Sequence, residues 1–334
     1  MTRRIIFVTG GAGFIGSNIV ARMAEDQNLD LVVCDRLHEA DLGKWRNIAK
    51  HPIGDFVPPE EMFDWLEKRW RDIELVVHMG AISSTTEPDA DLVARSNFTL
   101  TMQIWDWCAE QTVPFIYASS AATYGAGTAG FDDDFSVAGL AMLRPLNSYG
   151  WSKHLVDRRI ARLVASNAPR PPHWAGVKFF NVYGPNEGHK GDMMSLIAKL
   201  YPRACAGEKA RLFRSHNPAY PDGGQLRDFI YVRDCVDVLL WLFEQPEVNG
   251  VFNIGTGKAR SFADLAAATF RAVGREPVFE FVDTPVEIRD KYQYFTEARM
   301  ERLREAGYDK PFTALEDGVA DYVTNFLARP DPYR

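Results

Sequence analysis

A glycine-rich turn close to the start of the chain places the strongest constraint on its fold. The turn follows the apolar run Ile5-Ile6-Phe7-Val8 and precedes a helical stripe that begins at Ile19. An uninterrupted apolar run is typical of a strand covered on both faces, as in a parallel sheet. We therefore predict an α/β protein with a doubly wound parallel sheet, whose first unit is this strand, turn and helix.

The glycines of the turn follow the pattern Gly10-x-x-Gly13-x-x-Gly16. Glycines so placed let bare backbone approach a pyrophosphate at the start of a helix. A second apolar run, Leu29 to Cys34, ends in Asp35 about 20 residues further on, where an acidic group can meet an adenosine ribose. The spacing differs from the usual Gly-x-Gly-x-x-Gly, so a unit without a ligand is the alternative. The expected dinucleotide contacts are Gly10, Gly13, Phe14, Ile15, Gly16 and Asp35.

Length and charge exclude several functional classes. The 334 residues, 46% of them hydrophobic, suffice for about two domains. The net charge of -7 gives no basic surface for nucleic acid, and no Lys/Arg-rich helix suits an anionic membrane. No stretch has the form of a signal peptide or a membrane span, and the four cysteines lack metal-ligand spacing. We expect a cytoplasmic protein with no metal and with neither nucleic acid nor membrane as partner.

Two basic residues bear on the identity of the dinucleotide. Arg36 directly follows Asp35, and Lys44 lies in the loop beyond it. An acidic residue at the strand end favours the free ribose of NAD, whereas a neighbouring guanidinium can pair with the 2′-phosphate of NADP. We predict NADP bound by Arg36 and Lys44, with NAD as the alternative; both side chains would otherwise be solvated surface charges.

Further cofactor contacts are expected where later strands end. The apolar run Leu75-Val76-Val77-His78 is followed by Met79, Gly80, Ala81, Ile82 and Ser83. Ligands of open parallel sheets lie beyond the carboxyl ends of strands, so we expect this segment to contact the dinucleotide. Asn97 is predicted to open the next helix, either as a cofactor contact or only as its N-cap.

Three residues in chain order point to proton transfer. Ser120 ends a predicted strand, and Tyr149 and Lys153, four residues apart, share one helix face. Lowering the pKa of a phenol by about 3 units requires roughly 4 kcal/mol. An ammonium about 5 Å away supplies about 3 kcal/mol at an effective dielectric near 20, and an oxidised nicotinamide adds positive charge. Ser120 can hold a substrate hydroxyl in the same system. Taken alone, the Tyr/Lys pair is common on exposed helices.

This combination resembles the extended short-chain dehydrogenase/reductase family over essentially the whole chain. Within it, four segments resemble the ADP-L-glycero-D-manno-heptose 6-epimerase family: residues 83–87, 118–125, 186–195 and 308–312. The resemblance implies a Rossmann-type sheet and a smaller discontinuous C-terminal substrate domain. It implies an NADP-binding domain formed by residues 1–181 and 226–256, with residues 226–232 returning to the sheet. A second domain, formed by residues 182–225 and 257–334, would bind the nucleotide sugar.

The resemblance also implies residue roles. Val182 and Lys190 would contact the cofactor, and Lys190 would be a second base opposite Tyr149, unless it only contacts phosphate. The substrate positions fall on Asn181, Asp192, Lys199, Phe213, Arg214, Ser215, His216, Arg227 and Tyr292. Asp192 and Lys199 stand where members of the family usually have serine and histidine. Members often also have a lysine near the adenosine phosphate, and in this chain that lysine is replaced around Pro59. Arg227 suits a diphosphate, although an ion pair with Asp228 or Asp234 is the alternative.

The resemblance implies inversion at C6 of ADP-D-glycero-D-manno-heptose by transient oxidation with tightly bound NADP, supplying heptose for lipopolysaccharide core. Alternatives are a UDP-hexose 4-epimerase and a non-catalytic NADP-binding regulator. A 4,6-dehydratase is disfavoured because such enzymes carry an Asp-Glu pair where this chain has Ala121-Ala122. The family implies a homo-oligomer, often a pentamer. Residues 217–225 form a connection that is longer than is usual in the family, and we expect it to be either a lid or an inert surface loop.

Overall fold

The computed structural model describes residues 4–37, 43–285, 289 and 293–334. The strands of this part of the chain are β1 (Arg4–Thr9), β2 (Leu29–Cys34), β3 (Asp55–Val57), β4 (Ile73–His78), β5 (Phe115–Ser120), β6 (Trp174–Phe179), β7 (Asn181–Tyr183), β8 (Ala210–Phe213), β9 (Leu226–Tyr231), β10 (Gly250–Ile254), β11 (Ala259–Ser261) and β12 (Phe279–Val282).

The α-helices of the described residues are α1 (Phe14–Met23), α2 (Met62–Arg69), α3 (Ala90–Val93), α4 (Leu100–Gln111), α5 (Val137–Met142), α6 (Ser148–Ala165), α7 (Leu196–Ala206), α8 (Val232–Glu244), α9 (Phe262–Ala272), α10 (Glu301–Glu305) and α11 (Leu315–Tyr322). A π-helical stretch, Ala94–Thr99, joins α3 to α4, and another, Val323–Leu327, extends α11. No helix in the described ranges is long and apolar enough to cross a bilayer.

Seven parallel strands form the central sheet in the order β10-β6-β5-β4-β1-β2-β3. The chain runs outward from β1 to β3 and then crosses to β4 on the other side of β1. Strand order therefore reverses between β1 and β4, which is where sheets of this class bind ligands. The predicted Rossmann-type doubly wound sheet is confirmed.

Both faces of the sheet are covered, which explains the uninterrupted apolar run of β1. Ile6 and Val8 point into one buried cluster together with residues of α1 and α8. Ile5 and Phe7 point into a second cluster, which contains residues of α2, α4 and α6. Side chains of a strand alternate between faces, so β1 needs apolar residues at every position.

Two small sheets lie outside the central one. Strand β9 pairs with β7 and β11 in a three-stranded sheet, and β12 pairs with β8. The expectation that residues 226–232 return to the central sheet is wrong, because β10 occupies the edge position beside β6. Ala298, Met300 and Leu303 also pack into the β1–α8 cluster. The proposed domain boundaries stay a prediction.

Candidate functional site

A cavity of about 530 Å³ opens at the carboxyl ends of the central strands. Many of the predicted site residues line it: Gly10, Gly13, Phe14, Ile15, Gly16, Lys44, Met79, Ala81, Ser83, Ser120, Tyr149, Lys153, Asn181, Val182 and Lys190. Predicted residues outside this lining are Asp35, Arg36, Gly80, Ile82, Asn97, Asp192, Lys199, Phe213, Arg214, Ser215, His216 and Arg227. Tyr292 lies outside the described residues.

The glycine turn brings two strand ends into direct contact. Gly10 has a φ of +65°, in the left-handed region, and a Cβ built on it would lie 2.5 Å from the Gly80 nitrogen. Only glycine fits this close approach of the loops after β1 and β4. Gly13 precedes α1, no side chain caps the helix, and the first residues of α1 line the cavity. The turn therefore fits a pyrophosphate.

Asp35 is held by three donors beside this turn. Its Oδ2 accepts from the Ala12 N–H at 2.9 Å, and its Oδ1 accepts from the Arg36 N–H at 2.8 Å and from Lys44 Nζ at 2.7 Å. Lys44 thus neutralises the carboxylate whose charge opposes a phosphorylated ribose. The Arg36 guanidinium is exposed and pairs with Glu60 at 2.5 Å.

Asn97 does not open a helix, and it is not an N-cap. Asp89 caps the helix that contains it, through a 2.8 Å bond from the Leu92 N–H. Asn97 is fully buried, accepts from the Ile82 N–H at 2.8 Å and donates to the Ile82 carbonyl at 2.9 Å. Its Nδ2 also donates to Ser152 Oγ at 3.0 Å. Asn97 therefore fixes the loop after β4 against α6.

Close packing of α6 against the end of β5 brings Tyr149 to Ser120. Asn147 caps α6, accepting from the Gly150 N–H at 2.8 Å. A Cβ on Gly150 would lie 2.6 Å from the Ala122 carbonyl oxygen, so a larger residue would push the helix away. The Tyr149 and Ser120 side chains form a hydrogen bond, which lowers the pKa of the phenol, but burial raises it by more. In the protein alone, the expected lowering of the Tyr149 pKa by Lys153 is therefore not seen.

Lys153 has a buried charge with no hydrogen-bond partner among the described residues. Lys153 is 2% exposed and belongs to the cavity lining, and its Nζ is buried. Burial lowers its pKa to about 8, and the carboxylate of Asp157 partly opposes this. An unpaired buried ammonium is costly unless a ligand satisfies it. The hydroxyls of a nicotinamide ribose would supply acceptors, so the site fits a nicotinamide dinucleotide.

A buried ion pair lies behind these residues. Lys178 Nζ donates to Asp157 at 2.6 Å and to Thr123 at 2.8 Å. Asp157 also accepts from Ser119 Oγ at 2.8 Å and from the Tyr117 hydroxyl at 3.1 Å. The network therefore joins α6 to the strand that carries Ser120.

Lys190 reaches the cavity from a loop between β7 and α7. Its Nζ lies 5.1 Å from the centroid of the Phe14 ring, at the first turn of α1. Burial lowers the pKa of Lys190, and the Glu187 carboxylate opposes this. A second cation therefore faces the cavity beside the glycine turn.

The predicted substrate residues beyond Asn181 form their own contacts near the small sheets. Lys199 donates to the Asp192 carbonyl at 2.6 Å. Arg227 donates to the Leu226 carbonyl at 2.8 Å and to the Gln293 carbonyl, while Asp228 accepts from Thr256 and Asp234 from Thr313. Ser215 is held by residues of the 217–225 connection: its N–H donates to Asp222 at 2.8 Å and its Oγ to the Asn217 carbonyl at 2.7 Å.

Sequence reasoning missed the apolar part of the cavity. It includes Phe180, Phe229, Phe262 and Leu265, with Gln293 beside them. Phe229 and Phe262 pack edge to face at 5.4 Å between centroids. In the sequence they read as ordinary core positions of a strand and a helix, and no local pattern distinguishes them.

Comparison with known proteins agrees with this geometry. The profile of the NAD dependent epimerase/dehydratase family matches residues 6–255. The chain is 50% identical over 329 residues to the ADP-L-glycero-D-manno-heptose-6-epimerase of Nitratidesulfovibrio vulgaris (strain DP4), covering 98% of this chain and 99% of that protein. It is 44% identical over 337 residues to that of Fusobacterium nucleatum, covering 98% and 100%.

A solved structure supports the same assignment. The crystal structure of the Helicobacter pylori ADP-L-glycero-D-manno-heptose-6-epimerase matches with a TM-score of 0.80 at 27% identity, covering 98% of this chain and 97% of that one. The predicted resemblance is confirmed, and the family description supports a nicotinamide cofactor. The chain belongs to the NAD dependent epimerase/dehydratase family and, within it, groups with the proteins named ADP-L-glycero-D-manno-heptose-6-epimerase.

Proposed function

We propose that this protein inverts C6 of ADP-D-glycero-D-manno-heptose to give the L-glycero epimer, the heptose donor for lipopolysaccharide core. The observation that carries the proposal is one cavity lined by Ser120, Tyr149, Lys153 and a further cation, Lys190. The near full-length identity with proteins of that name supports the choice of substrate.

The chain's own residues supply the proton transfers. A bound nicotinamide, whose ribose Lys153 would hold, would supply reversible hydride transfer at C6, so that the secondary alcohol passes through a ketone that is reduced again on its other face. Tyr149 takes the proton of the C6 hydroxyl. Ser120, which is hydrogen-bonded to Tyr149, binds the same substrate hydroxyl. Lys153 carries the positive charge that favours the phenolate. The two epimers present the hydroxyl from different directions, so Lys190 serves as the second proton donor and acceptor.

Two of the alternatives, a dehydratase and a non-catalytic regulator, fit the cavity less well. Ala121 and Ala122 line it where a dehydratase carries an acid pair. A non-catalytic NADP-binding regulator would need a partner for Lys153 but would have no need for Ser120 and Tyr149 beside it in the same cavity. A UDP-hexose 4-epimerase uses the same chemistry and differs in its nucleotide pocket.

The direct test incubates the purified protein, with no added cofactor, with ADP-D-glycero-D-manno-heptose and follows the C6 epimer ratio by NMR. We expect equilibration of the two epimers, because the cofactor is regenerated in each turnover and stays bound. No epimerisation after NADP is supplied would reject the heptose substrate, and the same assay on UDP-hexoses would identify a different epimerase.

We also propose NADP as the cofactor. Lys44 neutralises Asp35, and the exposed Arg36 guanidinium lies one residue beyond it, where it can leave Glu60 for a 2′-phosphate. Arg36→Ala should weaken NADP binding about 10-fold, the value of one charge-assisted contact, and leave NAD binding unchanged. Equal losses for the two cofactors, measured by calorimetry, would reject this assignment.

A cytoplasmic homo-oligomer is proposed as its working state. The helices α5 and α6 contact each other and expose Met142 and Trp151, which a second copy can cover. Sedimentation measures the number of copies, for which the family resemblance suggests five.

A further inference from the structure

The loop that carries Lys190 is fastened at both ends by one carboxylate. Glu187 is 1% exposed; its Oε2 accepts from the Ser195 N–H at 2.5 Å and its Oε1 from the Ser195 hydroxyl at 2.6 Å. The two residues lie eight positions apart in the chain. We call this pair of bonds between Glu187 and Ser195 the clasp.

Between these ends the two glycines face open space, and His189 contacts Asn47 at 3.1 Å. A Cβ on Gly188 or on Gly191 would meet no atom within 4 Å. The Lys190 N–H donates to the Glu187 carbonyl at 3.0 Å, so the backbone of Lys190 also depends on Glu187. Of the contacts that hold this loop, the clasp and the Glu187 carbonyl are the ones that fix the backbone of Lys190 itself.

A third bond ties the clasp to the C-terminal part of the chain. The hydroxyl of Tyr322, in α11, donates to the Glu187 carboxylate. Ser195 in turn caps α7, accepting from the Ala198 N–H at 3.4 Å. The carboxylate thus fixes the loop to two helices at once, and its negative charge also acts on Lys190.

We infer that Glu187 is a positioning residue, which holds Lys190 at the cavity through the clasp and does not itself touch the substrate. This inference rests on the proposed function, because it assigns Lys190 to proton transfer. The Glu187 side chain is absent from the cavity lining, whereas Lys190, Met193, Met194 and Ser195 belong to it.

Two substitutions break the clasp in different ways. Glu187→Gln keeps the length but loses the charge and one acceptor, and Glu187→Asp keeps the charge but is too short to reach both Ser195 donors. Each should lower kcat about 30- to 100-fold, as expected for a small misplacement of a reacting group, with KM within about 3-fold and the cofactor retained. Wild-type kcat in either folded variant would overturn the inference.

The chain offers a matched control. Asp234, also buried, accepts from the Thr313 N–H and hydroxyl, both at 2.8 Å, in the same pattern but outside the cavity lining. Asp234→Asn should leave kcat unchanged. A comparable loss of kcat in this control would mean that breaking any such pair disturbs the enzyme, and would remove the special role of Glu187.

A double-mutant cycle with Lys190→Ala separates positioning from general damage. If Glu187 acts only through Lys190, Glu187→Gln should cause no further loss of kcat in the Lys190→Ala background. A full additional loss would overturn the inference.

A labelling experiment needs no turnover. With NADP bound, an amine-reactive acylating reagent should modify Lys190 several-fold faster in Glu187→Asp, which keeps the charge that acts on Lys190, than in the wild type, with the exposed Lys68 as internal reference in the mass spectra. Unchanged labelling of Lys190 would reject the clasp. Faster labelling in a protein that does not epimerise ADP-heptose would support the clasp and reject the proposed function.

Discussion

Lys153 and Lys178 are both buried lysines near Asp157, yet they differ in every contact. Lys178, on β6, has two short hydrogen bonds, to Asp157 and Thr123. Lys153, on α6, has none within the described part of the chain, although it is 2% exposed. A buried ammonium without a partner destabilises a folded chain. The unpaired Lys153 therefore indicates a ligand site, and the paired Lys178 contributes to the stability of the fold.

Lys153 and Lys178 should differ most in their contribution to activity. Lys153→Met is expected to lower kcat about 1000-fold, because it removes the charge that supports the Tyr149 phenolate in proton transfer. Rates of C6 epimerisation measure the loss. Its thermal midpoint without cofactor should not fall, since the variant also removes an unpaired buried charge. A variant that loses activity and stability together would instead indicate a structural role for Lys153.

The second difference is in stability. Lys178→Met leaves the Asp157 carboxylate buried and unpaired, which should lower the free energy of unfolding by about 3–5 kcal/mol. Denaturant unfolding measures this cost. Asp157→Asn combined with Lys178→Met should recover part of it, because no charge is then left behind. A single variant as stable as the wild type would refute the assigned role of the ion pair.

The third difference is in the dependence of stability on pH. Burial lowers the pKa of Lys153 from 10.5 to about 8, so the unfolded chain binds more protons between these values. The unfolding free energy of the cofactor-free protein should therefore rise with pH across this window, by about 3 kcal/mol at most. Lys153→Met should lack this rise, and comparing the two proteins cancels the contribution of every other group. Identical pH profiles would contradict the lowered pKa.

Local patterns were enough to predict the parts of the fold that depend on neighbouring residues. The strand, turn and helix around Gly10 are confirmed. In α9, Ser261 and Asp264 form a capping box three residues apart, which is a local signal of the same kind. Asn97 was misassigned because its partner, Ile82, lies 15 residues away. The residue type alone suggested a cap.

Longer-range features could be inferred only in part. A lysine within the buried strand β6 is a signal that sequence reasoning could have used, since such a charge requires a partner. Its partner Asp157 lies 21 residues earlier on a helix, and no spacing rule connects them. The sequence also left open which strand pairs with β6 at the edge of the central sheet, because several apolar runs suit that position equally well. The structure places β10 there and β9 in a small sheet.

In its contacts, Lys190 is intermediate between the unpaired Lys153 and the paired Lys178, and it therefore provides the most sensitive test of the comparison. Its Nζ faces the Phe14 ring at 5.1 Å, and the Glu187 charge acts on it. A cation over a ring gains about 0.5–2 kcal/mol, so Phe14→Leu should lower kcat about 3- to 30-fold. Phe14→Tyr keeps the ring and should retain most of the activity.

Because Phe14 also lines the cofactor cavity, retention of NADP in each variant has to be measured beside the rate. A loss of kcat with the cofactor still bound would assign the effect to Lys190. Equal activity in the Leu and Tyr variants would show that the ring contributes nothing to the placement of Lys190. In that case the Glu187 carboxylate alone would distinguish Lys190 from the unpaired Lys153.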